Sequence, residues 1–422
     1  MDAAGAQGKT STAEGPLPQL GEVLARTDRF DPPPGLMALS ERGPVHRVLN
    51  QDGESIWLVC RYAEARAVLE DLRFSSDRFR AVDLDRLTEE QRRIVSDQRL
   101  RAGAFINLDP PLHTRYRRLL AGQFTMRRMR RLSGLVEDIV AERLDAMVAA
   151  GSPGDLVEGF ALPVPSLVTC ELLGVPRDDR AVFLEWTQTA LRLDKTIDEM
   201  HDSRERLREY MGDLVRRKRA EPTDDLLSGL VHNRVADPPL TDDELVNMAN
   251  QLLIGGHATT ANMLGLGVFA LLEHPDQLAA LRADPGRIPD AVEELLRYLT
   301  VIQLGMFRVT TEEVELAGTT IPARGLVIIS PLAANRDAGH WPDPATLDLD
   351  RRDGPHLAFG HGVHQCIGQQ LARTELTIAF TRLLGRLPNL RLAVPAAEVP
   401  LRERVAIHGV RSLPVAWDEP PA

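Results

Sequence analysis

The sequence predicts a mainly α fold with a smaller β portion, and three observations carry that expectation. Thr241-Asp242-Asp243-Glu244 is a capping box that opens an apolar-rich stretch running to Glu273, just before His274-Pro275. At 1.5 Å per residue such a helix spans about 48 Å, enough to cross a whole domain. Between residues 110 and 300, further helical stretches are separated by Gly and Pro at Gly151-Ser152-Pro153-Gly154, Gly174-Val175-Pro176 and Ala236-Asp237-Pro238-Pro239. Beyond 300 the pattern turns to short strands: Val314-Glu315-Leu316, Gly318-Thr319-Thr320-Ile321 and Leu326-Val327-Ile328-Ile329-Ser330.

Taken from the N-terminus, residues 1–18 are rich in Gly, Ala, Ser, Thr and Pro and read as a flexible tail. Pro44-Val45-His46-Arg47-Val48-Leu49 and Ser55-Ile56-Trp57-Leu58-Val59 are apolar-rich runs split by Asn50-Gln51-Asp52-Gly53-Glu54, a hairpin signal. Tyr62 to Leu69 is helical. Residues 76–108 show no sustained periodicity and read as an irregular segment with one charged helix, the kind of long loop that usually carries function. Neither an internal repeat nor a low-complexity linker divides the rest, so residues 19–422 are expected to form one domain.

Composition is that of a soluble globular protein, with 43% apolar and 26% charged residues. A formal net charge of −11 argues against general nucleic-acid binding. One stretch runs against that balance: His113 to Arg131 carries arginines at 115, 117, 118, 127, 128, 130 and 131 and no acid. The three cysteines are too few and scattered for a disulfide framework, and Cys60 and Cys170 lie in apolar runs as packing residues. No stretch approaches the roughly 18 consecutive apolar residues of a membrane span, and no charged-then-apolar leader opens the sequence. A cytoplasmic monomer with no membrane contact is expected.

The third cysteine is different. Phe359-Gly360-His361-Gly362-Val363-His364-Gln365-Cys366-Ile367-Gly368 fixes Phe, three Gly, His and Cys at set spacing. The chance expectation from composition is on the order of one in a million. Glycines leave room for backbone to curl beneath a flat macrocycle, and Gln369 to Glu375 reads as a helix whose N-terminus stabilises a thiolate. The pattern resembles the haem-binding loop of the cytochrome P450 family, in its soluble bacterial class. That resemblance implies the P450 fold with a long central helix over the haem, heme b (iron protoporphyrin IX) as cofactor, and Cys366 as its axial thiolate. A thiolate ligand pushes electron density through iron in a way that favours O–O cleavage.

It also implies contacts to two haem propionates. His113 and Arg117, four apart and so on one helical face, resemble the family segment that supplies such a pair. Arg308, His356 and His364 match other family propionate contacts, and Phe359 and Gly368 complete the cofactor-binding set. Glu294-Leu295-Leu296-Arg297 is the family's ExxR pattern, a structural pair completed by an arginine upstream of the haem loop. Arg351 is the expected third member and Arg352 its competitor.

Inside the long helix stands Leu252-Leu253-Ile254-Gly255-Gly256-His257-Ala258-Thr259-Thr260. Each helical Gly costs about 1 kcal/mol relative to Ala, so a Gly pair needs a compensating reason. The resemblance makes Gly255 and Gly256 a helix distortion that gives room for O2, and Thr259 the hydroxyl that hands protons on. Most relatives carry an acid directly before this threonine; here it is Ala258. Thr259, Thr260, His257, ordered water or a substrate hydroxyl remain as proton carriers, with His257 expected to be structural because adjacent helical side chains point about 100° apart.

No flavin domain, dinucleotide motif or clustered-cysteine site is present, so electrons are expected from a separate ferredoxin and ferredoxin reductase, docking near the arginine-rich segment. Family positions place the substrate against residues 80–105, 183–193, Ile254–Thr259, Thr300–Leu304 and Val405–Ile407. Their apolar character suits a sizeable apolar small molecule, such as a polyketide, macrolide or terpenoid. The leading expectation is a monooxygenase that hydroxylates it. Epoxidation, desaturation or oxidative coupling at the same haem is the alternative, and a non-catalytic haem carrier or sensor the third.

Overall fold

Thr241 and Glu244 cap each other as the capping box requires. The Thr241 hydroxyl accepts from the Glu244 N–H at 3.2 Å, and the Glu244 carboxylate accepts from the Thr241 N–H at 2.7 Å. The helix they start runs Asp242–Glu273. This computed structural model describes residues 16–82, 88–89, 92, 96–124, 126–182, 185–186, 197–402 and 405–419. The proposed tail therefore lies largely outside the described residues. Its last residue is not free, because the Pro18 carbonyl accepts from Leu49 N–H at 2.9 Å.

Every residue from Ala261 to Leu271 of the long helix is buried. A helix apolar on all sides must be enclosed by other elements. By length and hydropathy it matches a membrane span, but 72% of the apolar window is buried inside this protein. Helices Met126–Ala150, Pro163–Leu173, Ile197–Ala220, Ile288–Leu299 and Gln369–Arg386 contribute to the main core with it. Phe380 lies so near the long helix that a Cβ on Gly267 would stand 2.7 Å from its ring. Only a glycine admits that approach.

The start of the long helix also ties down the chain before it. Asn247 donates to the carbonyls of Arg99 and Ala102 at 2.7 and 2.6 Å. Gly103, at φ +72°, passes so close that a Cβ would sit 2.4 Å from the Glu244 carbonyl oxygen. Glu244 reaches onward to Arg115 at 2.9 Å and to the Tyr116 hydroxyl. The helix Leu112–Ala121 is thereby fixed against its first turn.

The β portion is one five-stranded sheet in the order Val45–Leu49, Ser55–Val59, Leu326–Ile329, Met306–Thr310, Phe74–Ser75. The first two strands form the expected hairpin, with Val45 opposite Val59. Leu326–Ile329 runs parallel to Ser55–Val59 and antiparallel to Met306–Thr310, setting Arg308 opposite Val327. Smaller pairings join Val314–Leu316 to Thr319–Ile321, and Gly154–Asp155 to Pro414–Ala416 and Arg391–Leu392.

Glu294 and Arg297 form a buried two-pronged pair at 2.7 and 2.8 Å. Arg297 spends its remaining N–H groups on the carbonyls of Asn335, Pro344 and Thr346. The third member is Arg351, whose Nε lies 3.3 Å from Glu294. Arg352 instead makes an exposed pair with Asp290. Breaking a buried pair leaves an unpaired buried charge, whereas an exposed pair is worth little. Arg297→Ala is accordingly expected to cost about 3–5 kcal/mol, and Arg352→Ala under about 1 kcal/mol, read from denaturant midpoints.

Candidate cofactor site around Cys366

The Cys366 loop is built by two left-handed glycines and one crossing hydrogen bond. Gly360 and Gly362 have φ of +69° and +70°, and a Cβ on Gly362 would stand 2.4 Å from the Leu69 carbonyl oxygen. That contact docks the loop on helix Tyr62–Glu70. Cys366 N–H donates to the Phe359 carbonyl at 2.9 Å, closing the loop on itself. Gly368 departs from expectation: its φ is −86°, which any residue adopts, so it is not needed for left-handed backbone.

Helix Gln369–Arg386 starts just after the cysteine, and the N–H groups of Gly368 and Gln369 point at its sulfur. Burial raises the thiol pKa; those N–H groups, Arg117 and Arg373 pull it down, and the net direction is upward. A bound metal cation overrides that balance by deprotonating a coordinating thiol outright.

Beside the loop lies a cluster of positive and neutral donors. The rings of His113 and His364 sit 3.9 Å apart, with Arg308 and Arg117 close enough to depress both. Burial first, then these neighbours, brings His113 to about 4 and His364 to about 3, so both are neutral at pH 7. Burial lowers Arg308 to about 10. Both ring nitrogens of His113 are buried without a hydrogen-bond partner, and Arg308 donates only to the Phe307 carbonyl. Among the described residues neither Arg117 nor Arg308 forms an ion pair; Asp109, held by Ser75 and Ser76, is the acid that acts on the cluster. Donors desolvated and left unpaired in this way suit a ligand bearing carboxylates. The residues present therefore fit a haem with two propionates and a thiolate ligand.

His356 lies beside Phe359 of the loop and faces Glu293, with Nε2 at 3.3 Å from that carboxylate. Glu293 also takes two hydrogen bonds from Arg373, at 2.6 and 3.0 Å. Burial pushes the Glu293 carboxyl up, but these partners outweigh it and take it down to about 2. The guanidinium of Arg373 lies 4.6 Å above the Phe359 ring. Glu293 and Arg373 thus brace the loop; both were missed in the sequence, where nothing separates them from ordinary helical charges.

On the long helix, the structure divides the Gly pair. The helix runs continuously through it, from Asp242 to Glu273. A Cβ on Gly255 would meet nothing within 4 Å, so Gly255 borders open space. One on Gly256 would lie 3.1 Å from the Thr169 hydroxyl, so Gly256 serves close packing against helix Pro163–Leu173. Thr259 donates its hydroxyl to the Gly255 carbonyl at 2.6 Å, on that open side. His257 is buried against Ser166, and burial lowers it to about 4. It is a neutral packing histidine.

The arginine-rich segment is less free than its sequence implies. Arg115 pairs with Glu244, and Arg128 and Arg131 both reach Asp224. Arg118 and Arg130 are exposed and form no ion pair among the described residues. The side chain of Arg127, part of the lining segment 80–105 and most of 183–193 fall outside the described residues.

Known proteins bear on this site. Residues 183–395 match the family model described as Cytochrome P450. Cytochrome P450 105C1 from Streptomyces sp is 48% identical over 392 residues, 93% of this chain and 97% of that protein. Pentalenic acid synthase from Streptomyces avermitilis is 45% identical over 392 residues, 93% and 96% of the two chains. Among solved structures, Rif16 is 54% identical with a TM-score of 0.83, covering 94% of this chain and 100% of that one. CYP105P1 in complex with filipin I is 43% identical with a TM-score of 0.87, covering 96% and 100%. With the Cys366 loop, the ExxR network and 43–54% identity to these proteins over nearly the whole chain, the chain belongs to the cytochrome P450 family.

Proposed function

We propose that this P450 is a monooxygenase of secondary metabolism that hydroxylates a sizeable apolar small molecule, with heme b held by Cys366. The observation that carries the reading is the desolvated donor set beside the Cys366 loop, in which neither Arg117 nor Arg308 has a carboxylate partner among the described residues and both ring nitrogens of His113 are unsatisfied. His113, Arg117, Arg308 and His364 would hold the propionates, and Phe359 would pack at the loop. When bound, the haem iron with its thiolate ligand supplies reductive activation of O2. The chain's own residues seat the group, exclude water and manage protons. Residues 19–422 are taken as one such unit, a cytoplasmic monomer. Its relatives support the substrate class: they include a pentalenic acid synthase and a nocardicin C N-oxygenase.

Thr259 is the proton-handling residue in this reading. Its hydroxyl proton is committed to the Gly255 carbonyl, which leaves its oxygen lone pairs to accept from water on the open side. Passing a proton onward requires that bond to swing away. With Ala258 in the adjoining position, the residue before Thr259 supplies no carboxylate to resupply it. Epoxidation, desaturation or oxidative coupling at the same haem draws the same protons for O2 cleavage and differs only in the step on the substrate, so it stands as the second reading, separated from hydroxylation by the mass of the product.

Electrons come from a separate ferredoxin and its reductase, docking on the face that carries the Cys366 loop. Arg118 and Arg130 are the charges available to an acidic partner there, because Arg115, Arg128 and Arg131 are already paired.

Three measurements test these assignments. Cys366→Ser is expected to abolish the thiolate-type Soret band of the reduced carbon monoxide complex together with oxygenation; a thiolate band that survives sinks the ligand assignment. Thr259→Ala is expected to lower the product formed per NADPH consumed, because protons reach the site without a positioned donor, and unchanged coupling would place the relay elsewhere. Arg118→Glu with Arg130→Glu is expected to slow ferredoxin-supported reduction roughly tenfold at low ionic strength and to flatten its salt dependence.

A further inference from the structure

Two apolar segments on the proposed substrate side, Thr300–Leu304 and Val405–Ile407, meet in the structure over very little main chain. Ile302 and Ile407 form a single isolated antiparallel bridge. The N–H groups of Gln303 and Leu304 converge on the Ala406 carbonyl at 2.9 and 3.2 Å, and His408 N–H reaches the Val301 carbonyl at 2.7 Å. Neither segment is part of a named strand. What adds stiffness is one side chain, Gln303, only 7% exposed. Its amide NH2 donates to the Val405 carbonyl at 3.0 Å, and its amide oxygen accepts from Arg26 Nε at 2.8 Å.

Only one orientation of the Gln303 amide satisfies both partners, since Arg26 can only donate and the Val405 carbonyl can only accept. Arg26 is itself held through the Asp31 carbonyl at 2.6 Å, and its Nη2 is buried without a partner. Arg336 lies close enough to oppose its charge, while Asp28 and Asp31 favour it. The same N-terminal stretch grips the second segment again, where the His408 ring meets the Arg29 carbonyl at 2.9 Å. Residues 26–31 thus act as a strap across both segments. The first segment is further anchored at its root, where Thr300 leaves helix Ile288–Leu299 at φ +33° and accepts from Asn335 at 2.8 Å.

We propose that Arg26 and Gln303 are positioning residues: their contact sets how far apart Thr300–Leu304 and Val405–Ile407 stand, and so which substrates fit and which carbon is oxidised. The inference rests on the reading that these segments line the substrate side. Neither residue touches substrate. Loosening the pair lets two apolar walls shift relative to each other, and a shift of reacting groups by about 1 Å is enough to change rate a hundredfold.

The test uses the haem-loaded enzyme and two azoles read by their spectral shifts: imidazole, too small to reach the walls, and clotrimazole, which fills them. Arg26→Ala and Gln303→Leu are each expected to weaken clotrimazole about tenfold, the scale of a lost hydrogen bond to a charged group, and to leave imidazole unchanged. The double variant is expected to be no weaker than the worse single, because both act through one contact. The reduced carbon monoxide spectrum should keep its thiolate band throughout, separating this effect from damage to the haem seat. Should Gln303→Leu not fold, Arg26→Lys, which retains charge but loses the guanidinium fork, carries the same expectation. Ile302→Phe is the control for the lining itself. If Ile302→Phe alters clotrimazole binding while the Arg26 and Gln303 variants do not, or if their effects simply add, the clamp is overturned. If Ile302→Phe is also silent, the substrate-side reading of these segments fails and the proposal falls with it.

Discussion

The buried contact between Glu294 and Arg297 is the constraint on which the rest of the architecture hangs. A guanidinium offers five donors in a fixed fork, and here all its reach is used: two prongs on Glu294 and the others on carbonyls of Asn335, Pro344 and Thr346. Those carbonyls belong to the irregular chain that leads into the Cys366 loop, which has no ladder of its own to hold it. Asn335, fully buried, extends the network in both directions, accepting from Leu357 N–H at 2.8 Å and donating to Thr300 at 2.8 Å. One hub therefore fixes the approach to the cysteine and the root of an apolar wall. A charge pair this costly to desolvate is weak as a source of stability. Its value lies in registering segments that backbone pairing leaves unregistered.

The same logic, reversed, governs the donors beside the loop. Burial depresses His113, Arg117, Arg308 and His364 alike, and the two arginines depress both histidines further. Two guanidiniums desolvated beside neutral imidazoles cost free energy that the surrounding core must supply. Core contacts from Tyr116 and Leu120 on the helix and Val309 on the strand hold the groups in place against that cost. A ligand with two carboxylates converts the penalty into charge-assisted hydrogen bonds. The protein thus keeps its cationic groups pre-organised, and Asp109 stops short of neutralising them.

Elements with local causes were legible in the sequence, and elements decided by distant partners were not. The capping box, the Asn50–Glu54 hairpin and the short strands beyond 300 each follow from adjacent residues, and each formed as read. Arg351 was separable from Arg352 only by what faced it across the fold. His356 carried the right chemistry for a propionate, yet Glu293 lies against it. The Gly255-Gly256 pair looked like one device; three-dimensional neighbours made it two, since only Gly256 meets another helix. Spacing along a helix tells which residues share a face. It says nothing about which other element that face meets.

The two sides of the site are consequently determined to different degrees. On the loop side, every main contact is doubled: the cysteine has two N–H groups and two arginines around its sulfur, and the loop is docked by Gly362 and braced through Phe359 and Arg373. On the helix side, one hydroxyl is bonded back to its own helix, one glycine faces open space, and the position before Thr259 holds a methyl group. A family that keeps its iron chemistry constant while changing substrates gains from this asymmetry, because the ligand set can stay rigid while the opposite wall is retuned. The consequence for Ala258 is specific. A side chain that neither donates nor accepts cannot hold a water in place, so on the proposed reading that task falls to ordered water or to a polar group of the substrate beside Thr259.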